Sequence, residues 1–266
     1  MKSIFKFTVA LAAFGALFAL EKLRPLRAET ESKTRRNLRN FVVASLAGII
    51  LQLLEVPIVK KLALVVERRR WGLLKQVRLP AWLDTVAGFL LLDYTLYVWH
   101  VLTHKVPLLW RFHAPHHIDL DLDASTALRF HFGEMAISVL WRSAQILAIG
   151  VSHRTLRIWQ STLLLSILFH HSNITLPEQF ERRLSCLIVT PRMHGIHHST
   201  KYDEASSNWS SGIALWDRIH HTFRLNVPQA QISIGIPALR YAEDVRLGRV
   251  LTIPFTKFGD LWETKS

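Results

Sequence analysis

Five apolar runs limit what this chain can fold into. They cover residues 4–20, 41–59, 82–101, 135–151 and 156–169, and most are long enough for a tilted membrane helix. Strand-like alternation is weak and no repeat or low-complexity tract appears, so the architecture reads as helical throughout. Hydrophobic residues make up 50% of the chain, which is high for an ordinary soluble domain and favours a membrane class. The first run reads as a retained anchor, because the Glu21-Lys22-Leu23-Arg24 that follows it offers no small-residue cleavage site for a signal peptide.

The segments between the runs are basic. Residues 21–39 carry Lys22, Arg24, Arg27, Lys33, Arg35, Arg36 and Arg39 and read as a cytoplasmic juxtamembrane connector. Residues 60–78, with Arg68-Arg69-Arg70 among apolar positions, read as an amphipathic helix lying in an interface rich in anionic lipid. Two basic connectors flanking one span cannot both be inside. Either segment 41–59 is a re-entrant hairpin or one connector breaks the positive-inside rule. Trp71, Trp82, Trp99 and Trp110 read as interfacial anchors. Inside the runs stand Gln52, Glu55, Asp84, Asp93 and Arg142. A charged group within a span is costly and marks a functional candidate. After Pro177 the chain turns polar, as expected of a cytosolic lobe with short helices. The net charge of +13 fits nucleic acid or anionic lipid as a partner. Beside apolar spans, and without a nucleic-acid fold pattern, lipid head groups are the better match and no nucleic acid is expected.

Fourteen histidines are roughly two to three times ordinary usage. Most fall in four clusters: His100-x3-His104, His113-x2-His116-His117, His170-His171 and His194-x2-His197-His198. Residues three or four apart share a helix face, so each spacing converges imidazoles toward one point. The single cysteine, Cys186, excludes an intramolecular disulfide and a thiolate-built metal site. An ion takes about four to six ligands and these clusters supply enough for two ions. Imidazole suits zinc, copper, iron and nickel. No H-E-x-x-H of a zinc hydrolase is present. Many neutral nitrogen ligands at the mouth of apolar helices favour a pair of redox irons that bind dioxygen, although spacing alone does not force that choice.

The elements Asp93-Tyr94, His100-x3-His104, Trp110, His113-x2-His116-His117, Arg129-Phe130-His131, Glu134, His171-Ser172-Asn173, Thr190-Pro191, His194-x2-His197-His198, Asn208 and Trp216-Asp217-Arg218 occur in that order. Together they resemble the fatty acid hydroxylase / sterol desaturase superfamily, in particular its bacterial branch of small membrane proteins, over about residues 82–223. The resemblance implies an all-α fold, a multi-span transmembrane helix bundle with a cytosolic histidine-rich helical lobe. Residues 1–80 would hold N-terminal spans and the basic connector, 81–225 the catalytic domain and 226–266 a C-terminal tail. It implies an integral protein of the bacterial inner membrane with its histidine clusters facing the cytoplasm. Two iron ions and O2 would hydroxylate or desaturate a fatty acyl, sterol or isoprenoid chain, with electrons from a cytochrome or ferredoxin.

Carried over by position, the resemblance makes His100, His104, His113, His116, His117, His171, His194, His197 and His198 the metal ligands. Asp93 and Asp217 would orient imidazoles by accepting the other ring N–H, Asn173 and Asn208 would act similarly, and His131 would line the site. Two turns depart from the family pattern, with Ser210 and His221 standing where glycines are usual. If the second glycine serves a left-handed backbone, the turn at His221 must differ. These departures keep a non-catalytic metal-binding or scaffold membrane protein as the alternative.

Overall fold

The computed structural model describes residues 2–257 together with Leu261 and Trp262. Several side chains at the start of the first apolar run, and the rest of the expected tail, lie outside the described residues. The apolar runs form long helices: α1 (Lys2–Leu23), α2 (Lys33–Ile50), α3 (Val56–Arg69), α5 (Ala81–Lys105), α7 (Phe132–Ile149) and α8 (His153–His171), with α4 (Leu73–Gln76) and α6 (Pro107–His117) between them. Short helices follow: α9 (Glu178–Leu184), α10 (Pro191–His197), α11 (Tyr202–Ala205), α12 (Leu215–Ile219) and α13 (Leu247–Thr252). Among the described residues there is no strand, only three isolated bridges.

No hairpin reverses the chain within 41–59. α2 runs through a π turn at Leu51–Glu55 straight into α3. Pro57 lacks the N–H that an α-helix needs from that position, and the widened turn absorbs the missing bond. The expected interfacial helix at 60–78 is therefore corrected. It is mostly the second half of this rod, with Val59, Ala63 and Val66 buried against the protein, and the rod ends where Arg70 turns left-handed (φ 54). Among the described residues, Lys33–Gln76 and Ala81–Lys105 are the two stretches long and apolar enough to cross a membrane. The basic stretches 33–39 and 68–70 consequently lie at opposite ends of the rod.

α7 packs along α2, the π turn and α3, while α5 lies against α6, α7 and α8. Val66, Leu92, Ile146, Leu156 and Trp159 fill that interior. A second apolar cluster, Val43, Ala114, Ile118, Ile236, Leu239, Val250 and Ile253, fastens the C-terminal segment to α2 and α6.

Part of the first basic connector turns inward. Arg27, Arg36 and Arg39 are buried: Arg27 donates to Gln229 Oε1 (2.6 Å), while Asp119, Asp121 and Asp123 present carboxylates to Arg36 and Arg39. Arg36 pairs with Asp123. Arg39 reaches Glu31 at 2.8 Å and Asp119 at 2.9 Å, and Arg129 reaches Asp119 at 3.0 Å. Burial would raise the Asp119 pKa, but Arg129, Arg36 and Arg39 reverse this and hold it at about 2. The four tryptophans expected as anchors have two kinds of surroundings. Trp71 and Trp82 are exposed, whereas Trp99 stacks on Trp141 (5.3 Å) and Trp110 packs on His104 (4.8 Å).

Candidate metal centre

Four helix segments deliver the clustered histidines to one place. His100 and His104 sit on the last turns of α5, His113, His116 and His117 on α6, His171 at the end of α8, and His194 and His197 on α10 with His198 just after it. Eight of them form two groups of four, His100, His104, His117 and His197 in one, His116, His171, His194 and His198 in the other. Within each group the ligand atoms lie within 4.8 Å of one another. His113 stands between the groups, its ring 4.8 Å from His104 and 5.3 Å from His116. The expectation that each spacing aims at one point is corrected for the two H-x-x-H-H triplets. On α6, His117 belongs to the first group and His116 to the second, with His113 between them. On the α10 segment, His194 and His198 face the second group while His197 faces the first. Adjacent helical residues point about 100° apart, so each triplet divides between the two groups.

Ring hydrogen bonds show what these imidazoles lack. The Nδ1–H of His100 donates to the Trp209 carbonyl (2.7 Å), that of His197 to the Ser207 carbonyl (2.9 Å), and that of His113 to Glu134 (2.9 Å). His116 and His171 donate likewise to the carbonyls of Arg129 (3.3 Å) and Ile167 (2.8 Å). In each neutral ring the Nε2 is then a bare lone pair. Yet the Nε2 atoms of His116 and His171 face each other at 3.1 Å, with His194 Nε2 a further 3.0 Å from His171. Two lone pairs cannot bond one another, and a separation of ~3 Å suits nitrogens that each lie ~2.1 Å from a shared ion. Nε2 of His104, His113, His117 and His197 is buried without any partner. Burial, reinforced by neighbouring imidazoles, keeps His117, His194 and His198 well below the usual histidine range, and burial holds His197 at about 3. They are neutral, the form that ligates a metal. The residues present fit a pair of imidazole-bound cations.

The other expected residues have different surroundings. Neither Asp93 nor Asp217 accepts from an imidazole. Asp93 accepts from Trp216 Nε1 (2.7 Å) and the Ile213 amide (3.0 Å), and it crowds Gly212 so closely that a Cβ there would collide with its carboxylate. Asp217 accepts from the amides of Trp209 (2.8 Å) and Ser210 (3.1 Å), fixing the peptide whose carbonyl holds His100. Asn173 clamps Arg27 through both backbone groups, and Asn208 bonds Met193 and Arg224. His131 does not line the site. It caps α7 by accepting from Gly133 N (3.0 Å) and donates to the Leu251 carbonyl (3.2 Å). The turn at His221 does not change to suit its side chain, since His221 takes the left-handed conformation itself (φ 57). Ser210 has no positive φ, so the glycine absent there is not missed. The sequence assigns no role to Glu134, among the described residues the one carboxylate hydrogen-bonded to a clustered histidine, nor to His170, whose ring lies 4.1 Å from His194.

A cavity of about 450 Å3 opens from the histidines into the helix bundle. His100, His113, His116, His171 and His194 stand at one end, and Leu51, Leu96, Leu163, Leu164 and Ile167 form much of its wall. Such a space accepts an extended apolar chain.

A model of a family described as fatty acid hydroxylase matches residues 85–222. Among curated proteins, the chain is 28% identical over 158 residues to an ornithine lipid hydroxylase, OlsE, of Rhizobium tropici, covering 59% of this chain and 46% of that protein. It is 29% identical over 137 residues to the alkylglycerol monooxygenase of Homo sapiens, covering 52% of this chain and 30% of the relative. The corresponding enzyme of Xenopus tropicalis is 28% identical over 158 residues, which is 58% of this chain and 34% of the relative. The match thus spans less than half the length of each of these relatives. No solved structure matches the chain.

Proposed function

From its place in the fatty acid hydroxylase family, to which the chain belongs, we propose that the protein is a membrane-bound non-haem di-iron oxidoreductase that hydroxylates a lipid chain with O2. The observation that carries this reading is the junction of two four-histidine groups with an apolar cavity. His100, His104, His117 and His197 hold one ion, His116, His171, His194 and His198 hold the other, and His113 completes the set. Bound iron supplies the activation of dioxygen and the oxidation of a C–H bond.

The chain's own residues prepare the site for that chemistry. Four backbone carbonyls and Glu134 take the Nδ1 protons and so aim Nε2 inward. Asp217 acts through the Trp209 peptide, and Asp93 and the two asparagines brace the surrounding loops. Apolar walls hold the chain beside the histidines and keep water out. The names of the relatives, a hydroxylase and monooxygenases, favour hydroxylation over desaturation.

The long helices form a multi-span bundle in the bacterial inner membrane, and the histidine lobe faces the cytoplasm, where an external cytochrome or ferredoxin delivers electrons. Arg68, Arg69 and Arg70 then depart from the positive-inside rule. At their end of the bundle Arg70, Lys75, Arg78 and Arg154 line a groove suited to anionic head groups.

Lipid extracts of cells making the wild-type chain or the His197→Ala variant, compared by mass spectrometry, test the activity. The wild type is expected to yield a lipid heavier by one oxygen atom that the variant does not. Identical profiles would instead favour the non-catalytic scaffold.

A further inference from the structure

At the end of the cavity remote from the histidines stand three polar side chains from three elements: Glu55 of the π turn, Arg142 of α7 and Gln160 of α8. Arg142 lies eight residues beyond Glu134 on α7, and Gln160 lies eleven residues before His171 on α8. These separations amount to ~12 Å and ~16 Å along the helices. The wall between the two ends is largely apolar, and a Cβ placed on Gly48 there would meet nothing within 4 Å. The histidine site does not use this polar group, and charge within an apolar bundle is too costly to be incidental.

The pair is incomplete. Arg142 is held in place by Nη1 donating to Gln145 Oε1 (2.6 Å) and by the Trp159 ring, 4.4 Å from its guanidinium. Its Nε has no hydrogen-bond partner. Glu55 Oε1 lies 3.9 Å from that Nε, too far for a hydrogen bond, and accepts only from Gln160 at 3.4 Å. Here a cationic and an anionic side chain stand apart, and both residues line the cavity. An anion drawn to Arg142 would meet Glu55 beside it, and a cation would meet the reverse. An uncharged group that both accepts and donates satisfies the two together.

Building on the proposed lipid-oxidising role, we propose that Glu55 and Arg142 dock an uncharged hydrogen-bonding group, an amide or a hydroxyl, carried by the lipid chain in the cavity. Arg142 donates to its oxygen and Glu55 accepts its N–H or O–H. This anchor fixes which carbon of the chain lies beside the histidines.

The test uses the full chain in detergent micelles and three brominated probes of equal length: a secondary amide, the matching methyl ester, which only accepts, and the plain hydrocarbon. Trp99, Trp141 and Trp159 line the cavity and report binding through bromine quenching of their fluorescence. The amide is expected to bind about tenfold more tightly than the ester, the worth of one hydrogen bond to a charged group. Replacing a buried ion pair by apolar residues is often tolerated, so the double variant E55L/R142L is expected to fold and to bring the amide-to-ester ratio close to one. E55Q, which keeps the shape of the side chain, is expected to lower the ratio several-fold. Equal amide and ester affinity in the wild type, or a ratio unchanged in both variants, would overturn the anchor and leave the cavity's role as a chain site standing. Quenching by none of the three probes, the hydrocarbon included, would overturn the chain-binding cavity and the anchor with it.

Discussion

Two buried polar assemblies lie side by side and differ in one respect. In the network of Arg36, Arg39 and Arg129 with Asp119, Asp121 and Asp123, each guanidinium has a carboxylate within 4 Å. Among the histidines, lone pairs face one another or have no partner at all. Arg129 belongs to both, giving its side chain to Asp119 and its carbonyl to His116. The first network is closed in charge, each guanidinium being offset by a carboxylate, though not in hydrogen bonds, and it fastens α2 to the loop before α7. In the second, open assembly, lone pairs that face one another across a buried space repel, and so imply a cationic partner from outside the chain.

The largest expected effect falls on the closed network. Asp119→Ala strands buried guanidinium groups and is expected to cost about 3–5 kcal/mol of stability, read from denaturant unfolding. A cost below about 1 kcal/mol would mean that the network is not closed as described. Glu134→Gln acts on the open assembly instead. By weakening the hold on the His113 ring, it is expected to lower metal affinity about 10–100-fold, with little change in the unfolding of the metal-stripped chain.

Acid separates the two regions further. The folded pKa of His197, about 3, lies below its ordinary 6.5. In metal-stripped protein its contribution to stability is full above 6.5 and is lost as the pH falls from 6.5 toward 3. Asp119 is likewise depressed, from 3.8 to about 2, so its contribution survives to lower pH and is lost between those values. Two acid transitions, the histidine one first, are expected in a fluorescence titration. The smallest effect is expected at neither assembly. His221→Gly relieves a left-handed backbone at an exposed position and is expected to change stability by about 1 kcal/mol or less, in the stabilising direction.

What was legible in the sequence was local. Apolar runs announce helices, and H-x-x-H-H announces converging imidazoles. The division of each triplet between two groups is also local, because neighbouring residues on a helix diverge by about 100°. Partner choice is not local. His113 finds Glu134 twenty-one residues on, and Arg36 reaches Asp123 across eighty-seven. Asp93 was recognisable as a costly carboxylate within an apolar run, but its acceptance from Trp216 depends on how the 212–216 loop closes over α5. Arg36 and Arg39 stand in a basic stretch that on its own matches lipid head groups, and their neutralising partners lie eighty or more residues away in Asp119-Leu-Asp-Leu-Asp123. The proton acceptors for His100, His116, His171 and His197 are backbone carbonyls, which no side-chain pattern reveals.

The central claim is that the open assembly is completed by two metal ions. Metal analysis of the purified full chain, loaded anaerobically with ferrous iron and passed through a desalting column, tests it most directly. Two irons per chain in the wild type, and fewer in the His197→Ala variant, are the result expected from the two histidine groups. A wild-type chain that retains one iron or none, or a variant that retains as much as the wild type, would contradict it.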